Sequence, residues 1–389
     1  MTKQRNTITI QLRLLIGLSI ATACMVAGCG KSSEISPTST QAADTGTRAP
    51  DRSTAQAQDT VPGASSSQQP KELRDLYQQA QAAHEDEVVL YTAFSVGFDD
   101  IWNAFAHDFP GIRVRSSQLA GAQLLTRLTS EALSGNHKGD LVLTGYSDTA
   151  QLAADGRLAV DVPGTTRDLD SRYKDPAGTY QIPFSNVFAL VYNTSQVKPG
   201  EVPKTMDDVL LPQWRQRFGL PKLTGLSLTD VAIASLSFHH EITEAQLQHL
   251  ASNAQQIDST GMLSYPAEGR LAFTIWVPAH SAWRMQHAGA PIGIAFPKNL
   301  TYVLSPGIGL VQDAPHAHAA RLLKAWLFTP RAQALLVEKT HSYGTMPGAP
   351  TPVGFPALAE LGRTDLPLDQ TNAILKQSRI RTLALFGQE

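Results

Sequence analysis

The sequence predicts an α/β protein of two lobes, each a mostly parallel sheet flanked by helices. From residue 88 to a helix opening at Ser147, three β-rich runs are each followed by a segment of helical periodicity, the pattern of a parallel, doubly wound sheet. The alternation returns more loosely over 187–300. Beyond a polar N-terminal stretch roughly 320 residues remain, a length that suggests two domains.

Lys3, Arg5 and Arg13 open the chain, and residues 14–28 form an apolar run broken only by small residues. Residues 1–28 therefore read as a secretion signal. The run is too short for a comfortable membrane span, which needs about 20 apolar residues. Val26-Ala27-Gly28-Cys29 resembles the lipobox of bacterial lipoproteins, in which cleavage exposes the cysteine and its sulfur carries a diacylglyceryl group. That resemblance makes Cys29 the lipidation site and the lipid a membrane anchor, since each buried methylene contributes about 0.8 kcal/mol. Cys24 leaves with the signal, so no disulfide is possible in the mature chain. Gly30 stands where some Gram-negative bacteria use aspartate to retain lipoproteins at the inner membrane, and the choice of membrane stays open.

The formal charge of −2 includes the three basic residues of the signal and no acid, so the mature chain is more acidic still. With no Lys/Arg block it offers nothing to a phosphate backbone, which argues against nucleic acid. Residues 29–69 are dominated by Ser, Thr, Ala, Gln, Asp and Pro. Such a segment buries too little surface to offset its ordering entropy and reads as a disordered tether.

From residue 70 the elements follow in order. Leu73, Leu76, Tyr77, Ala80 and Ala83 share a helical face that begins near Pro70. "VVLYTAF" is a strand covered on both faces. Phe98, Ile101, Trp102, Phe105 and Phe109 recur at helical spacing up to Pro110-Gly111. Ile112 and Val114 mark a second strand, Leu124, Leu125, Leu128 and Ala132 a second helix, and "DLVLT" a third strand leading to a helix from Ser147. The second lobe reads as strand "VFALVY", a helix from Thr205, strand "RFGLP", a helix opening within "LTGLSLTD", and a helix from Thr243. Strand "RLAFTI", a helix with Pro278 near its start and strand "PIGIAFP" complete it. "GIGLV" and helical stretches at 315–329 and 330–339 must return to the first lobe. The expected division is 70–190 for the first lobe, 191–298 for the second, and 299–389 for the return and a C-terminal tail.

In open α/β sheets ligands collect beyond the carboxyl ends of the strands. Here those ends, at 92–95, 116–121 and 144–147, carry Ser, Thr or Gly just before a helix. Free backbone N–H groups at helix N-termini, reinforced by hydroxyls, suit an anionic or strongly polar ligand. Taken singly, each of these residues is equally an ordinary N-cap.

"LYQQAQAAHEDEVVLYTAFS", "GDLVLTGYSDTAQLAADGRL", "LPKLTGLSLTDVAIASL" and "SPGIGLVQDAPHAHAARLLKAWLFTPRAQALLVEK" together resemble the bacterial extracellular solute-binding proteins of ABC importers. The resemblance spans nearly all of 72–348 and is to the group of ferric-iron, thiamine, phosphonate and sugar-phosphate receptors. It implies a two-lobed periplasmic-binding-protein fold of type 2 with crossover hinge segments, and solute held in the interlobe cleft. The implied partners are a small polar or anionic solute, a class that includes phosphorylated and carboxylated ones, and ABC permease subunits. The receptor would be a lipid-anchored monomer on the periplasmic or extracellular face, with no cofactor and no catalytic residues. A periplasmic sensor subunit for a signalling partner, and an enzyme that has recruited the fold, are the alternative roles.

Carried over by position, the ligand loops give Thr92, Ala93 and Ser95 after the first strand and Gly121 after the second. Thr144, Gly145 and Tyr146 follow the third, and Thr224, Gly225 and Ser227 lie on the opposing lobe. Trp276 ends a later strand, either to stack on the solute or as a core aromatic. Lys222 is either an anion partner or a solvated lysine. Ferric receptors of the group present two adjacent tyrosines, whereas this chain reads "FTIWVPAHSAW", with Trp276-Val277-Pro278-Ala279. His280 alone would be a poor iron ligand, so a ferric cargo needs atypical ligands.

Other motifs fall short. His316 and His318 are two apart and make a poor chelate, and His239-His240 reads as a cation pair at a helix C-terminus. "GLSLT" lacks the closing glycine of a nucleophile elbow. "PGIGLVQ" lacks the third glycine of a dinucleotide fingerprint.

Overall fold

Two sheets divide the chain, and strand burial fixes where each lies. The computed structural model describes residues 69–223, 227–361 and 366–387. The signal, all of the tether but its last residue, Cys29, Thr224 and Gly225 lie outside the described residues.

The elements in chain order begin with α1 (Lys71–Ala82), β1 (Glu87–Thr92), α2 (Phe98–Asp108), β2 (Arg113–Gln118), α3 (Gly121–Ser134), β3 (Leu141–Thr144), α4 (Tyr146–Ala154) and β4 (Tyr180–Gln181). Next come β5 (Phe184–Asn193), α5 (Met206–Val209), β6 (Phe218–Pro221), α6 (Leu228–Phe238), α7 (Glu244–Asn253), β7 (Gln255–Ile257), α8 (Gly261–Ala267) and β8 (Phe273–Pro278). The chain continues through α9 (Ala279–His287), β9 (Ile292–Ala295), β10 (Tyr302–Leu304), β11 (Gly307–Leu310), α10 (Ala317–Leu327), α11 (Pro330–Thr340), β12 (Tyr343–Gly344) and α12 (Thr371–Phe386).

The first sheet has the order β2-β1-β3-β11-β4. β1 runs parallel to β2 and β3, and β11 antiparallel to β3 and β4. The apolar runs of β1 and β3 are buried on both faces, one against α1, α2, α10 and α11, the other against α3 and α4. β2 is the exposed edge, where Arg115 pairs with Glu87 across the strands at 3.3 Å. Charge on an edge discourages further strand pairing.

The second sheet has the order β10-β5-β8-β6-β7, with β9 and β12 also on β5. β6 is parallel to β7 and β8, and β5 is antiparallel to each of its partners. One face packs on α5, α6, α7 and α12, the other on α8 and α9.

The chain passes between sheets at Ile182-Pro183 and Ser305-Pro306, so residues 184–190 and 302–304 belong to the second lobe. This moves the expected boundaries at 191 and 299. The two crossovers are joined by a buried Ser185–Ser305 hydroxyl bond of 2.8 Å. Gln333 of α11 donates to the Pro183 carbonyl at 2.9 Å, and Thr345 to that of Ile182 at 2.6 Å.

The expected C-terminal tail is instead a helix, α12, that packs mainly on α6 and returns to the second lobe. The cause lies in α6, which is buried continuously from Thr229 to Leu236. A helix that carries Val231, Ala232, Ile233, Ala234 and Leu236 in close succession has apolar residues on every side and must be covered on every side. Buried Asp230 ties the pair, accepting from Arg379 at 2.8 Å and from Thr382, both of α12. Among the described residues no helix is long and apolar enough to cross a membrane.

Candidate functional site

The carboxyl end of β1 supplies one wall of an interlobe cleft. Thr92 is buried, and its hydroxyl accepts from the Phe94 N–H at 3.0 Å, which turns the chain sharply into the loop before α2. Gly97 has φ 81°, and a Cβ there would collide with the Lys339 carbonyl at the end of α11. The loop carrying Ala93 and Ser95 is thereby drawn against Thr340 and Ser342. Ser342 in turn donates to Asn186 of β5 at 2.7 Å.

α9 supplies the facing wall, starting directly from the last residue of β8. Its first turn carries His280 and Ser281, with Arg284 one turn further on the same side. With Ala93, Ser95 and Asn186 these residues line a cavity of about 180 Å³. Ser281 also lines a second chamber of about 480 Å³, on the side of α6 and α8.

The electrostatics of the smaller cavity are one-sided. The Arg284 guanidinium is half-buried, and its one hydrogen-bond partner among the described residues is the Ser281 hydroxyl at 3.3 Å, with no carboxylate in ion-pair reach. Burial pulls its pKa below the ordinary arginine value, but a guanidinium keeps its charge. His280 Nδ1 is shielded from solvent and has no hydrogen-bond partner among the described residues. Burial, then Arg284 and then His341, push the His280 pKa down to about 4, so it is neutral at neutral pH. Beside them the Trp283 ring stacks between His287 and His341, with centroids 3.9 Å away on either side. His341 ends α11, so this stack joins the two walls.

The sequence-predicted residues divide. Ala93 and Ser95 line the smaller cavity and Ser227 the larger. Ser227 is nevertheless the N-cap of α6, accepting from the Asp230 N–H and donating to the Asp230 carboxylate at 2.8 Å. Thr144 is buried and bonds Asp148 at 3.1 Å. The Gly121 N–H also goes to Asp148, at 2.8 Å. Neither Gly121 nor Gly145 is among the residues lining the two chambers. Tyr146 is buried, packed with the core of the second lobe.

Trp276 does not face the cleft, which corrects the stacking expectation. Its φ of 61° coincides with a register irregularity against β5, and the indole lies fully buried, donating to the Leu300 carbonyl at 2.9 Å. Sequence reasoning missed Ser281, Arg284 and Asn186, and weighed His280 only as a metal ligand. The available signal was a His-Ser pair with an arginine one turn on, in a helix that starts at a strand end.

Residues 92–334 match the family model of the bacterial extracellular solute-binding proteins. The chain belongs to this family. As a solute-binding protein of the ABC-transporter type it serves transport outside the cytoplasm, binding small solutes and working with permeases. It is similar to Iron uptake protein A1 of Synechocystis, with 23% identity over 311 residues covering 75% of this chain and 84% of that protein. Among solved structures, iron-bound HitA from Pseudomonas aeruginosa superposes with a TM-score of 0.63 at 18% identity, covering 77% of this chain and 98% of HitA. AfuA from Actinobacillus pleuropneumoniae, with fructose-6-phosphate bound, gives 0.65 at 15% identity, covering 78% and 99%. These structural likenesses establish the type 2 periplasmic-binding-protein fold.

Proposed function

We propose that this solute-binding protein captures a small anionic solute in the cleft between its sheets and delivers it to an ABC permease. The observation that carries the reading is Arg284, a half-buried guanidinium with no acidic partner among the described residues, in a cavity it shares with Ser95 and Ser281. An unpaired cation held out of water costs free energy, which an incoming anion recovers through charge-assisted hydrogen bonds. AfuA, whose structure holds fructose-6-phosphate, is a precedent on the same fold for a phosphorylated cargo. Contacts from both walls make the closed arrangement bind better than the open one, so the solute shifts the population about the two crossovers.

A ferric cargo, the kind named for Iron uptake protein A1 and HitA, fits this cleft poorly. Arg284 repels a trivalent cation. Among the described residues no group of three His, Cys, Asp or Glu is placed to hold a metal.

Lipid on Cys29 would keep the receptor at the membrane without a spanning helix. The test of the solute reading is thermal shift and calorimetry of the mature protein with phosphate, fructose-6-phosphate, citrate and ferric citrate. Iron-free anions should raise Tm and release measurable heat. A response to ferric citrate with none to any iron-free anion would show the reading to be wrong.

A further inference from the structure

We infer that the solute is an amphipathic anion, with its charged head at Arg284 and an apolar body in the larger chamber beside α6 and α8. The inference rests on the anion reading above and narrows it. A cavity of about 180 Å³ lies below the roughly 300–1,000 Å³ usual for small-molecule sites. It suits a head group and little more. The neighbouring chamber of about 480 Å³ lies within that range, and Ser281 stands in the wall of both. A solute whose head reaches Arg284 therefore has its next atoms beside Ser281, the residue common to both walls.

The walls of that chamber decide what the body is. Leu228, Met262, Leu263, Val277 and Pro278 give the chamber an apolar side, and Lys222, Asp258 and Ser259 line it as well. Its polar groups are engaged with one another or with the fold: Ser227 caps α6 through Asp230, and the Asp258 carboxylate accepts from Thr260 at 2.6 Å and from the Gly261 N–H at 2.8 Å and feels the Lys222 cation. A sugar body would bring several hydroxyls, and each one buried without a partner costs binding energy. An aliphatic or aryl body brings no group that needs a partner and gains the hydrophobic term along the apolar side. The two chambers thus select a head of one chemistry and a body of the opposite.

The experiment is calorimetry of the mature protein with acetate, butyrate and hexanoate, with inorganic phosphate against phenyl phosphate, and with hexanol as the uncharged control. Affinity should tighten about fourfold per added methylene and more steeply from phosphate to phenyl phosphate, while hexanol stays unbound. Leu263→Gln should flatten the carboxylate series; should that variant not fold, the wild-type series decides alone. Measurable binding of phosphate and acetate with no gain along either series overturns the inference and leaves the anion reading intact. Hexanol binding as tightly as hexanoate, or no binding by any of these anions, overturns the anion reading itself.

Discussion

The two walls of the cleft are built by opposite means. The first-lobe wall is a short loop, Ala93 to Ser95, whose backbone is fixed by Thr92 and by the contact of Gly97 with α11, and it presents no charge. The second-lobe wall is one side of α9, and it concentrates His280, Ser281 and Arg284 within two turns. The scaffolds differ in the same sense. The first sheet begins with consecutive strand-helix units, while the second gathers strands from distant parts of the chain and takes α12 as an outer cover. On the anion reading proposed above, recognition of charge belongs to the second lobe, and the first has the task of closing over it.

Arg284 is where that contrast is largest. Arg284→Gln removes the cation and leaves the solute's charge buried without a partner, a change that costs about 4 kcal/mol, or about a thousandfold in Kd. The empty protein should be no less stable, since a half-buried guanidinium with no carboxylate partner among the described residues is removed. Calorimetry and thermal melting together check both halves of the expectation. A fall in Tm with affinity unchanged would make Arg284 a structural residue and erase the asymmetry.

A smaller effect comes with acid. His280 has its pKa lowered to about 4 in the folded protein, against about 6.5 in an unfolded chain. The unfolded state then binds more protons between these values, so the stabilising contribution is complete above pH 6.5 and fades as pH falls toward 4. The loss from this residue should reach about 2 kcal/mol by pH 5. Arg284 and His341 act on it, and His287 acts on His341 in turn, all of them basic. Protonation therefore adds like charge to the empty cleft and strengthens the hold on an anion. Melting of wild type and His280→Asn across pH 4.5–7.5 should show curves that diverge on the acid side, with the gap narrowed by saturating solute.

How far the sequence reveals this design follows the same division. β1, β3 and the aromatic stripe of α2 are legible because each presents a single unambiguous pattern of burial. In the second lobe, β7 and β10 are three-residue strands, α5 is one turn, and α8 contains Pro266. None gives a period long enough to read. α12 lacks a stripe because α4, α6 and α7 touch it from several directions. At the site, Ser95 is visible as a hydroxyl at a strand end, the place where backbone geometry makes ligand loops. Arg284 is not, because nothing in residues 279–287 says which side of the helix meets the other lobe. Trp276 misleads for a local reason: one left-handed backbone angle turns its ring from the cleft into the core.

The smallest expected effect belongs to the first-lobe wall and tests the contrast from its weak side. Ser95 is solvent-exposed and is the hydroxyl that the β1 loop presents to the cleft, while its backbone carbonyl accepts from the Phe98 N–H at 3.1 Å and keeps the loop in shape. Ser95→Ala leaves that backbone bond in place and removes one neutral hydrogen bond to the solute, which is worth about 1 kcal/mol, or fivefold in Kd. Because a first-lobe contact forms only when the lobes meet, the loss should appear mainly in the dissociation rate, with association nearly unchanged. Stopped-flow fluorescence, with Trp283 beside the cleft as reporter, separates the two rates. A loss as large as that of Arg284→Gln would mean that both walls carry recognition equally, and the division of labour between the lobes would not stand.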